Sequence, residues 1–143
     1  MKLVASLVAS SALAISMLVA VPSTATAAPY PGTVATRCSY VVPGSVRKNR
    51  ELFVRYRVRA SGNARPAGVV KIRVYKIAKD GSKHLKRVFS QRYRGPNFKR
   101  TSLGTFKKKG RYSTKMWFRP RKGSVYKSCH SGSRYFKVKK KKR

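Results

Sequence analysis

Acidic side chains are nearly missing from this sequence. Glu51 and Asp80 are the only two in 143 residues, against 36 Lys and Arg, for a formal net charge of +34. Acid–base catalysis usually draws on carboxylates or histidines set beside partners. Here the two acids are far apart, and His84 and His130 are isolated. Phosphate-loop and nucleophile motifs are also missing. The two cysteines and scattered histidines lack zinc-site spacing, which leaves free or metal-binding thiols as the weaker reading of them. These absences predict a protein that is not an enzyme and needs no cofactor and no metal.

Long apolar runs are equally scarce. The one present is at the start, where Lys2 precedes a nearly uncharged stretch from Leu3 to Val21, followed by Ala25-Thr26-Ala27-Ala28. A positive start, an apolar middle and an A-x-A site make a secretory signal peptide. Cleavage is expected after Ala27, since a cut after Ala28 would place Pro29 first. A retained anchor is the competing reading, but Ser6, Ser10, Ser11 and Ser16 interrupt the run. A spanning helix wants about 20 mostly apolar residues, and no second run offers them. The expectation is a secreted protein, extracellular or cell-wall associated, with no transmembrane segment after cleavage.

What remains is 116 residues, enough for one domain. Lys2 leaves with the leader, so the net charge is then +33. An even cysteine count in an exported chain points to a disulfide, here Cys38 with Cys129. The loop-entropy argument credits closure of so long a loop with about 4–5 kcal/mol as an upper figure. Offsetting charge repulsion in a small domain is a fitting use for it.

The patterning is that of strands. Residues 28–36 read as a short flexible leader and Arg37 to Val42 as a first strand closed by Pro43-Gly44. From Glu51 to Ala60, Leu52, Val54, Tyr56 and Val58 alternate with Phe53, Arg55, Arg57 and Arg59, the period of a strand buried on one face. Val70, Ile72 and Val74 alternate likewise with Lys71, Arg73 and Tyr75. Asp80-Gly81 is a hairpin signal, with Leu85 to Tyr93 as the returning strand. Thr101 to Phe106 forms a short strand, and Lys107-Lys108-Lys109-Gly110 a basic turn. Tyr112, Thr114, Met116 and Phe118 then face inward, with Ser113, Lys115 and Trp117 outward, until Pro120 ends the strand. A last strand lies near Tyr135 to Lys139, and residues 140–143 are a basic tail. About seven short strands predict an all-β fold, a sandwich spanning residues 37–139.

These residues also carry a family resemblance. Pro43 and Val46 precede the Leu52-x-Val54-x-Tyr56-x-Val58 strand. Ala64-Arg65-Pro66-Ala67-Gly68 leads into Val70-x-Ile72-x-Val74. Leu103-x-x-Phe106 is followed by Gly110-x-Tyr112-x-x-x-Met116-x-Phe118. The pattern resembles the bacterial immunoglobulin-like domains of the group 3 type found in secreted and surface proteins. The resemblance implies an immunoglobulin-like β-sandwich and a spacer or adhesive role. It implies that Gly110-x-Tyr112 is a tyrosine corner, its phenol capping a backbone group of the preceding loop. It also implies a parallel pairing of first and last strands that would hold Cys38 and Cys129 at one end, within bridging reach. This chain departs from the pattern in being far more basic and in having the cysteine pair.

Charge is the functional signal. Arg55, Arg57 and Arg59 form one outward row, and Lys71 and Arg73 another. Lys107, Lys108 and Lys109 cluster in a turn, and Lys137, Lys139, Lys140, Lys141, Lys142 and Arg143 gather at the end. Cations repeating about every 7 Å can track a polyanion. The bland alternative is a solvated face. Anionic cell-envelope polymers are the expected partners of an exported monomer. Nonspecific nucleic acid is a further one, since no base-reading motif is present. Tyr75, Trp117 and Tyr135 form a second candidate, an outward aromatic strip able to stack on sugars or bases. Covering by long Lys and Arg stems is its bland counterpart. Competing readings are a structural or adhesive module for a protein or carbohydrate partner, and a cationic antimicrobial protein. The last lacks an amphipathic membrane-active segment.

Overall fold

The computed structural model describes residues 34–62 and 64–140. The leader cleavage at Ala27 and the tail residues Lys141, Lys142 and Arg143 lie outside the described residues. The strands in chain order are β1 (Thr36–Val41), β2 (Ser45–Arg47), β3 (Glu51–Ala60), β4 (Ala67–Ile77) and β5 (Lys83–Arg94). They continue with β6 (Lys99–Thr105), β7 (Gly110–Pro120), β8 (Cys129–His130) and β9 (Arg134–Lys139). Seven are long. The two extra ones, β2 and β8, have three and two residues.

Two sheets pack face to face. One has the order β1-β3-β6; the other runs β2-β9-β7-β4-β5, with β8 alongside β7. Pairing is antiparallel except where β2 joins β9 in parallel. The chain's first segment thus changes sheet at Pro43-Gly44, and β7 sits centrally in the larger sheet. This is an all-β, immunoglobulin-like sandwich.

The alternation read from the sequence is what fills the interior. Leu52, Val54, Tyr56 and Val58 from β3 meet Val70, Ile72 and Val74 from β4 and Tyr112, Met116 and Phe118 from β7, all buried. At one end Tyr112 stacks on Phe136 and Phe106 meets both edge-on, with ring centroids 5.2–5.3 Å apart. The interior holds four buried tyrosines, and each phenol is hydrogen-bonded, as a buried hydroxyl must be. Tyr40 Oη and Thr114 Oγ1 are 3.0 Å apart. Tyr56 donates to Gln91 at 2.8 Å, and Tyr93 accepts from the Val58 N–H at 2.9 Å. Tyr112 donates to the Lys108 carbonyl at 2.8 Å, the corner expected at the start of β7. Burial pushes all four phenols above their usual 10.0.

The β4–β5 hairpin turns where Asp80-Gly81 predicts it. Gly81 adopts φ 84°, and Asp80 Oδ1 accepts both the N–H and the hydroxyl of Ser82. The boundary at residue 36 needs a correction. Val34 and Thr36, read as the end of a flexible leader, are paired. Val34 bridges to Tyr126 in parallel, exchanging backbone bonds with Val125 and Lys127 at 2.8 Å, and Thr36 Oγ1 donates to the Lys127 carbonyl. The loop after β7 supplies the free backbone groups that make this possible.

Cys38 and Cys129 are bonded, with Cα atoms 5.8 Å apart. The geometry differs from the expected one. The parallel neighbour of the last strand is β2, not the cysteine-bearing β1. Cys129 lies in β8 on the larger sheet, so the bridge ties one sheet to the other.

Candidate polyanion-binding surfaces

Both carboxylates are used locally. Asp80 is held by Ser82, whose hydroxyl and N–H keep its carboxyl below the usual range. Glu51 accepts the Ser102 hydroxyl at 3.3 Å. Asp80 lies away from the faces in the β4–β5 turn, and Glu51 is one acid at the end of the arginine row on the smaller face.

The outer face of the three-stranded sheet carries Arg55, Arg57 and Arg59 as expected. Register adds two arginines that sequence reasoning missed: Arg37 lies opposite Arg59, and Arg100 opposite Arg55. Two phenylalanines are set among them. The guanidinium carbons of Arg55 and Arg57 lie 5.0 and 4.2 Å from the Phe98 ring centroid, and that of Arg100 lies 4.2 Å from Phe53. Stacking of this kind holds a guanidinium flat while leaving its edge free to donate. Arg57 Nε is buried with no hydrogen-bond partner. The missed residues lie on neighbouring strands, and only pairing registers bring them together.

The outer face of the larger sheet brings Lys71 and Arg73 together with the aromatic strip. Lys71 pairs with Trp117, and Arg73 with Lys115. Arg73 and Lys115 both approach the Trp117 ring, at 5.1 and 5.3 Å from its centroid. One row further on, Tyr75 and Tyr135 flank Ser113 from either side. That explains why Ser113, which lies on the outward face, is only 3 % exposed. Trp117 separates two shallow depressions. One, of about 290 Å³, includes Lys71, Arg73, Arg119 and His130; the other, of about 310 Å³, includes Tyr75, Lys83, Ser113 and Lys115. Tyr135 is 53 % exposed at the margin, with Lys83 Nζ 6.0 Å from its ring centroid.

The remaining candidates do not converge on one place. Lys107, Lys108 and Lys109 are exposed in the β6–β7 turn at one end of the sandwich. Lys137 and Lys139 extend the larger face along β9, and Lys137 lies opposite Arg111. Lys140 follows that strand, exposed. The basic coat therefore covers two opposite faces and one end. No group of three or more His, Cys, Asp or Glu comes together among the described residues, and no helix there is long and apolar enough to cross a membrane.

No family model and no curated protein matches the chain. Solved structures with a similar strand layout are distant. The alkylpurine DNA glycosylase AlkC of Pseudomonas fluorescens, bound to DNA, is 12 % identical, with a TM-score of 0.45 over 75 % of this chain. This chain spans only 30 % of that protein's length. The superoxide reductase of Ignicoccus hospitalis is 13 % identical, with a TM-score of 0.42, covering 74 % of this chain and 82 % of its own. A CARDB domain from Pyrococcus furiosus is 13 % identical, with a TM-score of 0.40, covering 78 % and 91 %. The activities in those names belong to those proteins.

Proposed function

We propose that this chain is a secreted, non-catalytic, immunoglobulin-like module of the bacterial group 3 type that is held by charge on anionic cell-envelope polymers. One observation carries the reading: cations coat both sheet faces, while Asp80 is held in the β4–β5 turn by Ser82 and Glu51 is a single acid at the start of the Arg55-Arg57-Arg59 row. Uncompensated cations at this density raise the local concentration of any polyanion and release its counterions on contact. The larger face is favoured, because Lys71, Arg73 and Lys115 surround an aromatic platform at Trp117. The inter-sheet disulfide suits an oxidising, extracellular setting. The leader-like start of the chain supports export.

The test is retention of the protein with residues 1–27 removed on whole cells and on isolated walls. Charge-held protein washes off as salt rises, because log affinity falls linearly with log salt. Protein that stays bound in high salt would refute the reading. It would point instead to an adhesive contact through Trp117, Tyr75 and Tyr135, for which the two depressions beside Trp117 provide the shape.

A further inference from the structure

At one end of the larger sheet, four arginines that the sequence did not single out frame a recess. The middle strand there is β4, whose outward residues at this end are small, Ala67 and Val69. On one side, Arg92 of β5 lies opposite Val69, and Arg94 lies opposite Ala67. On the other, Arg119 of β7 lies opposite Val69, and the N–H of Arg121 bonds to the Ala67 carbonyl at 3.2 Å. The result is two arginine pairs, one row apart, facing each other over a low floor. Strand spacing puts the paired backbones roughly 10 Å apart and the two rows about 7 Å apart. Lys99 joins from the other sheet. The recess measures about 570 Å³, and no carboxylate lines it. All four arginines are exposed, and their charges have no partner within the recess.

Planar guanidinium groups match phosphate oxygens in bidentate fashion, which a lysine does not. Two facing pairs can each clasp one phosphate, and two rows suit two successive phosphates of a chain. The recess also shares Val69 and Arg119 with the depression beside Trp117, so the cradle opens onto the cation–aromatic face. We infer that Arg92, Arg94, Arg119 and Arg121 form a discrete site for adjacent phosphate groups. This rests on the polyanion reading and names its ligand chemistry as phosphate. The source is a phosphodiester wall polymer or a nucleic-acid backbone.

Calorimetry with inorganic tripolyphosphate, at an ionic strength of about 0.15 M to screen diffuse attraction, tests the site. The expected result is saturable binding at one site per chain. The R94Q/R121Q variant should lose roughly tenfold or more in affinity, as two charge-assisted contacts are removed. The R94K/R121K variant, with its charge kept, should still lose several-fold. The K107Q/K108Q variant, with the same charge removed from the far turn, should stay close to the parent. Equal losses in R94Q/R121Q and K107Q/K108Q would overturn the site and leave only diffuse charge. Wild-type protein that holds to walls but shows no saturable tripolyphosphate binding would also overturn it, with the broader reading intact. Competition of purified teichoic acid and of oligothymidylate against tripolyphosphate then separates the two sources; failure of both to compete would overturn the polymer assignment.

Discussion

Arg87 and Gly104 meet across the open side of the sandwich. The Arg87 guanidinium, carried by β5, donates to the carbonyls of Leu103 and Thr105 on β6 at 2.9 and 2.7 Å and lies 5.1 Å from the Phe106 centroid. Gly104, at φ 75°, leaves the space it needs, since a Cβ there would sit 2.5 Å from Arg87 Nη1. This cation is therefore a fastener between the edge strands of the two sheets, not part of the outward basic rows. Substituting Gly104 with Ala forces both a left-handed side chain and a displaced guanidinium, and should destabilise the fold by roughly 1–3 kcal/mol. R87M should cost about 1.5–3 kcal/mol by removing two hydrogen bonds from a charged donor. Chemical denaturation measures both, and an unchanged midpoint for either variant would deny the fastening role.

The disulfide makes a second prediction. Cys38 and Cys129 tie β1 to β8 across the two sheets and close a 91-residue separation. The C38S/C129S double variant should lose about 2–5 kcal/mol. Lowering salt should worsen the loss, because repulsion among the cations then reaches further. Thermal melts at two ionic strengths, with and without reductant, read this directly.

Trp117 is the one tryptophan in the chain and lies between Arg73 and Lys115 on the favoured face. A polyanion that draws those cations away from the ring should change its fluorescence in a salt-dependent titration. The R73Q/K115Q variant should show a smaller change and a salt slope reduced by roughly 1–2. A spectrum unaffected by saturating polyanion would place binding elsewhere.

The pH response should be lopsided. Acid denaturation is mostly the protonation of carboxylates that the fold uses. Asp80, with its carboxyl held low by Ser82, contributes stability that is present above the usual carboxylate range and lost as pH falls through its lowered value. It is exposed, so the loss is small, and melting between neutral pH and pH 3 should shift little. The alkaline side differs. Tyr40, Tyr56, Tyr93 and Tyr112 hold their protons more tightly when folded, chiefly through burial. Their stabilisation is complete below pH 10 and is lost as pH rises through the raised values. Tyrosinate absorbance from these four should lag behind that of the denatured protein. Coincident titration of the folded and unfolded chains would contradict this.

By itself, the sequence determined which residues of each strand face inward, because side chains alternate at every step of an extended chain. That local rule placed Leu52 to Val58, Val70 to Val74, Tyr112 to Phe118 and the Asp80-Gly81 turn correctly. It also marked the outward cation rows and the only partner each cysteine has. Beyond the hairpin at Asp80-Gly81, it could not say which strands lie side by side. Arg37 beside Arg59, Tyr75 and Tyr135 on either side of Ser113, Arg87 on the β6 carbonyls and the four arginines around Ala67 and Val69 all depend on pairing between residues distant in the chain. Only the tertiary structure decides those registers, because they follow from how two twisted sheets pack as a whole, a choice that no stretch of alternating residues contains.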